Sequence, residues 1–496
     1  MIENIINGSG ALFTLDTILF MLLGVFLGII FGAIPGLGVM LAIVIFLPMT
    51  FGVNPIAGIL MLLGIYCGGT YGGSISAILI NTPGTPSSAA TLLDGFPLSQ
   101  QGKSKKALLM ALYASVIAGV ISAMLLLVAA PQLAKITMFF GPAEYFMLAV
   151  FGLSIIASVS GDNVFRGLIA GCLGVFISTI GMDTASGVFR FTFGNINLAG
   201  GITLVPALIG LFAFSEILAK INDKDNSVSG KQMAFTGEGL KGSELTRSMG
   251  TIFRSSIVGT IIGIIPGTGG GIASFISHDM AKRKSKNPEN YGKGELDGVA
   301  AAEAGNNGVT GATLIPLLTL GIPGDGAAAV LLGAFMLNGL LPGTSLFTEH
   351  ATTIYAVMVG LIVVNIIMLL QGRLLINFFA KIANVPVTIL IPFLILTCTA
   401  GAFAETTSVF SVYIAVVFGI FAYFLIKLGF SPVPLLLGII LGPIAESNLG
   451  RALIISEGSL AIFVTRPISA AFILLTLLSI FLAVHAARKD KKLKKS

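Results

Sequence analysis

Apolar segments long enough to cross a bilayer recur from one end of this chain to the other. They fall near residues 17–47, 55–81, 107–130, 143–159, 167–181, 201–219, 251–281, 299–340, 351–371, 386–403, 408–426, 432–445 and 468–485. About 20 apolar residues carry a helix across the hydrocarbon core, so an all-α polytopic integral membrane protein is expected, with the lipid bilayer as its surroundings. Charge agrees with this. Only 10% of the 496 residues are charged, against roughly 25% in an average soluble domain, too few to cover a water-soluble surface. A soluble enzyme is nearly excluded. The net charge of +6 fits basic residues retained on the cytoplasmic side, not a nucleic-acid footprint.

Several apolar segments are interrupted by proline and glycine and read as broken or re-entrant helices. The long polar connection from about Lys220 to Arg247 divides the chain. The expected organisation is a first transmembrane repeat over 1–219, a cytoplasmic linker over 220–250 and a second repeat over 251–450. An additional transmembrane region (451–487) and a basic cytoplasmic tail (488–496) follow. Two motifs recur in the same order. Gly32-Ala33-Ile34-Pro35-Gly36-Leu37-Gly38 returns as Gly263-Ile264-Ile265-Pro266-Gly267-Thr268-Gly269, and Asn81-Thr82-Pro83-Gly84-Thr85 as Gly321-Ile322-Pro323-Gly324-Asp325. One such cluster is a common turn signal; two in matching order point to duplication.

Basic residues indicate how the copies are related. The loop after the first copy of motif one, Pro48–Pro55, has no Lys or Arg, whereas its counterpart carries Lys282, Arg283, Lys284, Lys286 and Lys293. Motif two shows the reverse: Lys103, Lys105 and Lys106 follow the first copy, and Gly343–His350 after the second has none. By the positive-inside rule the equivalent loops face opposite sides, the mark of inverted-topology repeats. Alternation along the chain leaves Lys135, Arg190, Arg451 and Arg466 outside and the other 24 of the 28 basic residues inside. Residues 251–281, flanked by basic loops, are expected to enter and return, and 17–47 to do likewise. That places the N-terminus outside and the C-terminus in the cytoplasm, with about 11 crossings. No Lys or Arg precedes Lys103, so no cleaved signal peptide is expected. Cys67, Cys172 and Cys398 lie in apolar stretches without metal spacing and are expected to be buried thiols.

Non-helical backbone survives in hydrocarbon only where protein or a water-filled cavity satisfies it. Free carbonyls at a break suit a cation, and N–H groups at a half-helix start suit a carboxylate. The expected substrate seat comprises Thr70, Ser74, Asn81, Thr82, Pro83, Gly84 and Thr85 from the first copy. Asn306, Asn307, Gly321, Pro323, Gly324 and Asp325 complete it from the second. Cation coupling is expected at Pro35, Gly36, Gly38, Gly267, Gly269 and Glu303. The plainer alternative is that glycine serves close helix packing and proline kinks helices. Ionisable residues inside spans are functional by default, and Asp94, Glu303, Asp325 and Glu405 are the candidates. Asp94 could equally be an interfacial cap near Lys103, and Glu303 could lie at the cytoplasmic rim after Asp297.

Other chemistries find little support. GTGGG at 267–271 lacks the Lys-Ser/Thr of a phosphate loop. His278, His350 and His485 form no catalytic pattern, so the chain is not expected to be an enzyme. No cofactor is expected beyond Na+ or H+ as coupling ion. An ion or small-anion channel is the alternative class, with an intramembrane enzyme behind it.

At these residues the chain resembles a known family. GAIPGLG (32–38), YGGSISAILINTPGTPSSAATLLDGFPL (71–98), GIIPGTGGG (263–271), EAGNNG (303–308) and TLGIPGDGAAAVLLGAFMLNGLLPG (319–343) resemble the large membrane subunit of the tripartite tricarboxylate transporters. FRFTFG (189–194), LVPALIGLFAFSEIL (204–218) and LGPIAESNLGRAL (441–453) extend the likeness over nearly the whole chain. The resemblance implies secondary uptake across a bacterial inner membrane. A periplasmic substrate-binding protein would deliver an organic anion such as citrate, and a small membrane subunit of about four helices would complete the complex. A Na+ or proton gradient would drive uptake, and an elevator-like mechanism follows by analogy with other carboxylate transporters.

Overall fold

The computed structural model describes residues 2–159, 164–183, 187–222, 237–383, 385 and 387–493. Much of the expected linker (223–236) and the end of the expected tail (494–496) lie outside the described residues. The chain is an all-α polytopic membrane protein, with eight described helices long and apolar enough to cross a membrane.

The first part of the chain forms α1 (Ile2–Leu12), α2 (Leu15–Ala33), α3 (Gly38–Phe46) and α4 (Pro55–Ile80). A 3-10 turn at Pro86–Thr91 leads into α5 (Leu92–Gln100), followed by α6 (Ser104–Thr137), α7 (Pro142–Val159) and α8 (Val164–Ser178). A two-stranded hairpin pairs Gly181–Met182 with Phe189–Arg190. Next come α9 (Leu204–Leu208), a π-helical segment (Ile209–Phe214) and α10 (Ser215–Asn222). The second part forms α11 (Gly242–Ile264), α12 (Gly269–Lys284), α13 (Leu296–Ala312), α14 (Leu314–Leu320), α15 (Gly326–Leu337), α16 (Thr344–Thr348) and α17 (Ala351–Leu374). It ends with α18 (Ile376–Ile382), α19 (Val387–Thr406), α20 (Val409–Lys427), α21 (Pro432–Ile455), α22 (Ile462–Thr465) and α23 (Pro467–Leu493).

These elements form two compact units. Unit 1 holds Met1–Ala134 and Lys220–Ile395, and unit 2 holds Lys135–Ala219 and Leu396–Ser496. Both units therefore draw on both parts of the chain.

In unit 1, α4 is buried on every side from Ile56 to Ile80. Gly24, Gly28 and Gly32 of α2, one turn apart, sit against the backbone of Met61, Ile65 and Gly69 in that order. The two helices thus run parallel, and a methyl group at any of the three glycines would strike a carbonyl oxygen of α4. Small residues at this spacing let helix backbones touch where apolar solvent supplies no hydrophobic drive. Parallel packing forces the intervening chain to double back, and α3 does so: Val39 lies at Gly69, and Thr50, just beyond α3, lies at Gly58. The reversal is at Pro35-Gly36-Leu37-Gly38, where Gly36 (φ 86°) and Gly38 (φ 70°) adopt the left-handed conformation that costs glycine nothing.

The second copy repeats the pattern. Gly259 meets Gly305 and Gly263 meets Val309, so α11 and α13 run parallel. α12 returns along α13, with Gly270 at Asn306 and Ala281 packed with Ala301. The offset that carries Pro35 onto Pro266 also carries Gly28 and Gly32 onto Gly259 and Gly263.

Unit 2 is held by the same device. Gly174 of α8 abuts the Leu435 carbonyl of α21, and Gly210 of the π segment abuts the Ala415 carbonyl of α20. Bidentate pairing of Arg190 with Glu446 (2.5 and 3.0 Å) anchors the small hairpin to α21. Cys67 and Cys398 are buried as expected, but Cys172 is exposed on α8, because an apolar run in a membrane helix need not face protein.

Gly28→Val is expected to destabilise the fold by about 3 kcal/mol through overpacking. Gly250→Ala, which faces open space within α11, should not destabilise and is expected to gain about 0.5–1 kcal/mol. Thermal unfolding in detergent separates the two; equal midpoints would show that α2 and α4 do not depend on close approach.

Candidate functional site

The two proline-glycine motifs of each copy come together in unit 1. Beyond Ile80, Asn81 (φ 59°) turns the chain back along α4. Gly84 N–H then donates to the Gly73 carbonyl at 3.2 Å, and Gly84 lies against the Gly32 carbonyl of the first motif. In the second copy Gly321 (φ 71°) makes the same turn. Gly324 packs on Thr313 and Gly263, and its carbonyl accepts the Gly267 N–H at 2.9 Å. In the second copy one break thus helps satisfy the other's backbone, and in the first the two lie in contact.

Each loop also starts the segment that follows. Asp325 Oδ1 accepts the Ala328 N–H at 2.7 Å and caps α15. At the equivalent place Thr85 N–H donates to Ser88 Oγ (3.4 Å) and Ser88 Oγ donates to the Thr85 carbonyl (2.8 Å).

Contacts across the copies run between antiparallel segments, since Thr91 meets Glu303 while Asp94 meets Gly298. At the centre the Tyr66 hydroxyl donates to Asp325 Oδ2 at 2.9 Å. The offset that carries Gly84 onto Gly324 carries Tyr66 onto Asn306. Asn306 is buried and, among the described residues, neither atom of its amide has a hydrogen-bond partner. It lies against Gly270 in the first turn of α12, with Ser87 beside the same glycine. Thr268, preceding α12, points its hydroxyl backwards to the Ile262 and Ile265 carbonyls (2.6 and 2.8 Å), so no side chain caps this helix start. The atoms nearest Gly270 are the Asn306 amide oxygen and the Ser87 Cβ, and the first-turn N–H groups of this uncapped helix start are donors suited to an anion.

Glu303 and Asn307, one turn apart on α13, form a second buried cluster. Thr91 Oγ1 donates to Glu303 Oε1 at 2.5 Å and Ser115 of α6 to Oε2 at 3.0 Å. Asn307 Nδ2 donates to Ser115 Oγ (2.8 Å), to the Glu303 carbonyl (3.2 Å) and to Oε2 (3.3 Å). Glu303 is fully buried.

Asp94 is a cap. Its Oδ1 accepts the N–H groups of Gly292, Gly294 and Glu295 at 2.8–3.0 Å, and Oδ2 pairs with His278 Nε2 at 2.7 Å. It ties α5 to the loop between α12 and α13. Nearby, Lys106 pairs with Glu244 at 2.6 Å; burial pushes the Glu244 carboxyl up, but the Lys106 ammonium and the Lys241 N–H that donate to it together outweigh burial and lower it below its usual range.

Other expected residues are placed as follows. The hydroxyls of Thr70 and Ser74 donate to the carbonyls of Tyr66 and Tyr71 in their own helix. Asn81 and Thr82 are exposed and Pro83 half-buried, whereas Gly321–Gly324 are buried. Pro35, Gly36 and Gly38 are half-buried, as are Gly267 and Gly269, and the Lys220 side chain lies against Gly36. Glu405 lies in unit 2. Sequence reasoning did not single out Tyr66, Thr91, Ser115, Lys220 or the His278–Asp94 pair. A polar aromatic at the repeat position of Asn306 could have marked Tyr66; nothing local marks Thr91 or Ser115.

Comparison with known proteins gives a consistent picture. The sequence model of the family described as "Tripartite tricarboxylate transporter TctA family" matches residues 18–437. An Agrobacterium vitis protein described as an "Uncharacterized 52.8 kDa protein in TAR-I ttuC' 3'region" is 36% identical over 493 residues, covering 99% of this chain and 98% of that one. A second from the same organism, described as an "Uncharacterized protein in TAR-II ttuC' 3'region", is 37% identical over 234 residues, covering 47% of this chain and 97% of its own. No solved structure matches.

Removing the Asp94 carboxylate leaves three backbone N–H groups and His278 without their acceptor. Asp94→Ala is expected to cost about 3–5 kcal/mol and to speed amide exchange at Gly292, Gly294 and Glu295. Exchange as slow as in the parent would show that other contacts hold the loop.

Proposed function

The chain belongs to the tripartite tricarboxylate transporter TctA family, and from that premise we propose that it carries an organic anion through the membrane at the site between its broken helices. The observation that carries this reading is the buried, unpartnered amide of Asn306 at the uncapped start of α12. A buried amide without partners is costly, and a substrate carboxylate would complete it together with the first-turn N–H groups and Ser87. Tri- or dicarboxylates are poor membrane solutes, so cotransported cations, Na+ or H+, would offset their charge. Glu303 and the reversals at Pro35–Gly38 and Pro266–Gly269 are the proposed coupling positions.

Delivery would fall to a periplasmic binding protein, and a small membrane subunit would complete the complex in a bacterial inner membrane. Opposed directions of the two copies in unit 1 support inverted repeats, which give alternating access by exchanging the conformations of the halves. Unit 1, which holds both breaks, is the proposed carrier of an elevator-like movement. The clustering of Lys106, Glu244, Asp94 and the 292–295 loop supports a shared cytoplasmic face.

Proteoliposomes with the partner proteins and labelled citrate test the seat. Asn306→Ala is expected to weaken apparent affinity about tenfold, the worth of one charge-assisted hydrogen bond, and Asn306→Asp to abolish uptake by like-charge repulsion. Parent-like affinity in Asn306→Ala would remove the amide from the seat. Orientation has its own test. Val53→Cys and Lys284→Cys should react with impermeant thiol reagents from opposite sides, and labelling of both from one side would overturn the inversion.

A further inference from the structure

We propose that Glu303 is the proton carrier of the transport cycle, so that the coupling ion at this position is H+ and not Na+. This rests on the transporter reading and specifies its coupling ion.

The carboxylates of unit 1 have different partners. Asp94 accepts from three backbone N–H groups and pairs with an imidazole. Asp325 is held by the N–H of Ala328 at the start of α15 and by Tyr66. Among the described residues Glu303 has neither a backbone N–H, a helix start nor a basic side chain; its partners are two hydroxyls and one amide. Such a site fits the neutral acid as well as the anion. Thr91 Oγ1 can accept as well as donate, so at 2.5 Å a proton can sit on Glu303 Oε1 and point to Thr91. The other oxygen needs no rearrangement: Asn307 Nδ2 occupies Ser115 Oγ as acceptor, which aims the serine proton at Oε2. The titratable group facing this carboxyl is the Tyr71 phenol of α4. Asp94 of α5 and His278 of α12 are turned to one another, and α6 and α11 face α13 here with serines and glycines.

A Na+ ion needs several oxygen lone pairs converging on one point. Here hydrogen-bond donors converge on the carboxylate, and the amide N–H groups stand where a cation would. The Asn307 orientation is set by its bond to the Glu303 carbonyl, which only an N–H can make. The acid is also unmatched: the offset that carries Tyr66 onto Asn306 carries Leu63 onto Glu303. The repeated framework therefore does not require a carboxyl here. Because Thr91 lies in the turn that follows the first broken loop, protonation at Glu303 is sensed directly by the segment that leads from the proposed seat. One proton binds from the substrate-loading side and leaves to the other, changing the carboxylate to a carboxylic acid and back.

The complex reconstituted with its partner proteins tests this with labelled citrate. Counterflow without any ion gradient reports whether the chain transports at all, and its absence in the parent would sink the transporter reading itself. Given counterflow, Na+-free vesicles with an alkaline interior should accumulate citrate, roughly tenfold per proton carried for each pH unit imposed, and the medium should become alkaline as citrate enters. E303Q, which keeps the shape and the hydroxyl partners, is expected to exchange citrate but to lose pH-driven accumulation. Accumulation by the parent only under a Na+ gradient, or citrate entry without proton movement, overturns the assignment whatever the variant does. E303Q that inserts but cannot exchange places the residue in the substrate seat and also overturns it.

Discussion

Every backbone N–H and carbonyl inside a bilayer must find a partner in the protein, and the broken helices of unit 1 depend on that rule. Each copy opens its backbone twice, at a Pro-Gly reversal and at a Gly- or Asn-headed loop, and sets the two openings side by side. Gly267 N–H reaches the Gly324 carbonyl, and Gly84 lies between the Gly73 and Gly32 carbonyls. Backbone opened in this way has to be covered by protein wherever it lies in hydrocarbon. The pairing of the two motifs explains why they recur together and in order.

That pairing requires helices whose backbones touch. Gly24, Gly28 and Gly32 bring α2 onto α4, and Gly259 and Gly263 bring α11 onto α13. Glycine therefore has two roles here, close packing along the helices and left-handed turns at Gly36, Gly38, Gly267 and Gly269. The packing role, considered from the sequence only as the plainer alternative, accounts for many of the 62 glycines.

The breaks and the membrane class were legible because each leaves a repeated or long-range pattern in the chain. The partners of individual side chains were not. Thr91, Ser115 and Glu303 are distant in sequence and meet only because the copies cross in opposite directions. Thr70 and Ser74 looked available as hydroxyls near a break, yet a helix buried on all sides gives their protons nearer acceptors in its own backbone. Asp94 shows the opposite case. A buried carboxylate was visible, but its four partners come from a loop and a helix of the other copy.

A symmetric framework would let the protein open to either side, but would by itself give neither direction nor selectivity. Those need differences between the copies at equivalent positions, and the differences are few and chemical. Tyr66 meets Asp325, whereas its counterpart Asn306 meets no polar partner among the described residues. Leu63 is apolar, whereas its counterpart Glu303 is an acid. The two copies thus present a closed polar contact at one position and, at its counterpart, a buried amide without a described partner near a titratable group. A carboxylate would add charge at that amide, and a proton on Glu303 would remove charge from the same copy. Substrate and proton then each lower the electrostatic cost of the other's passage through the bilayer. That reciprocity is the physical content of coupling.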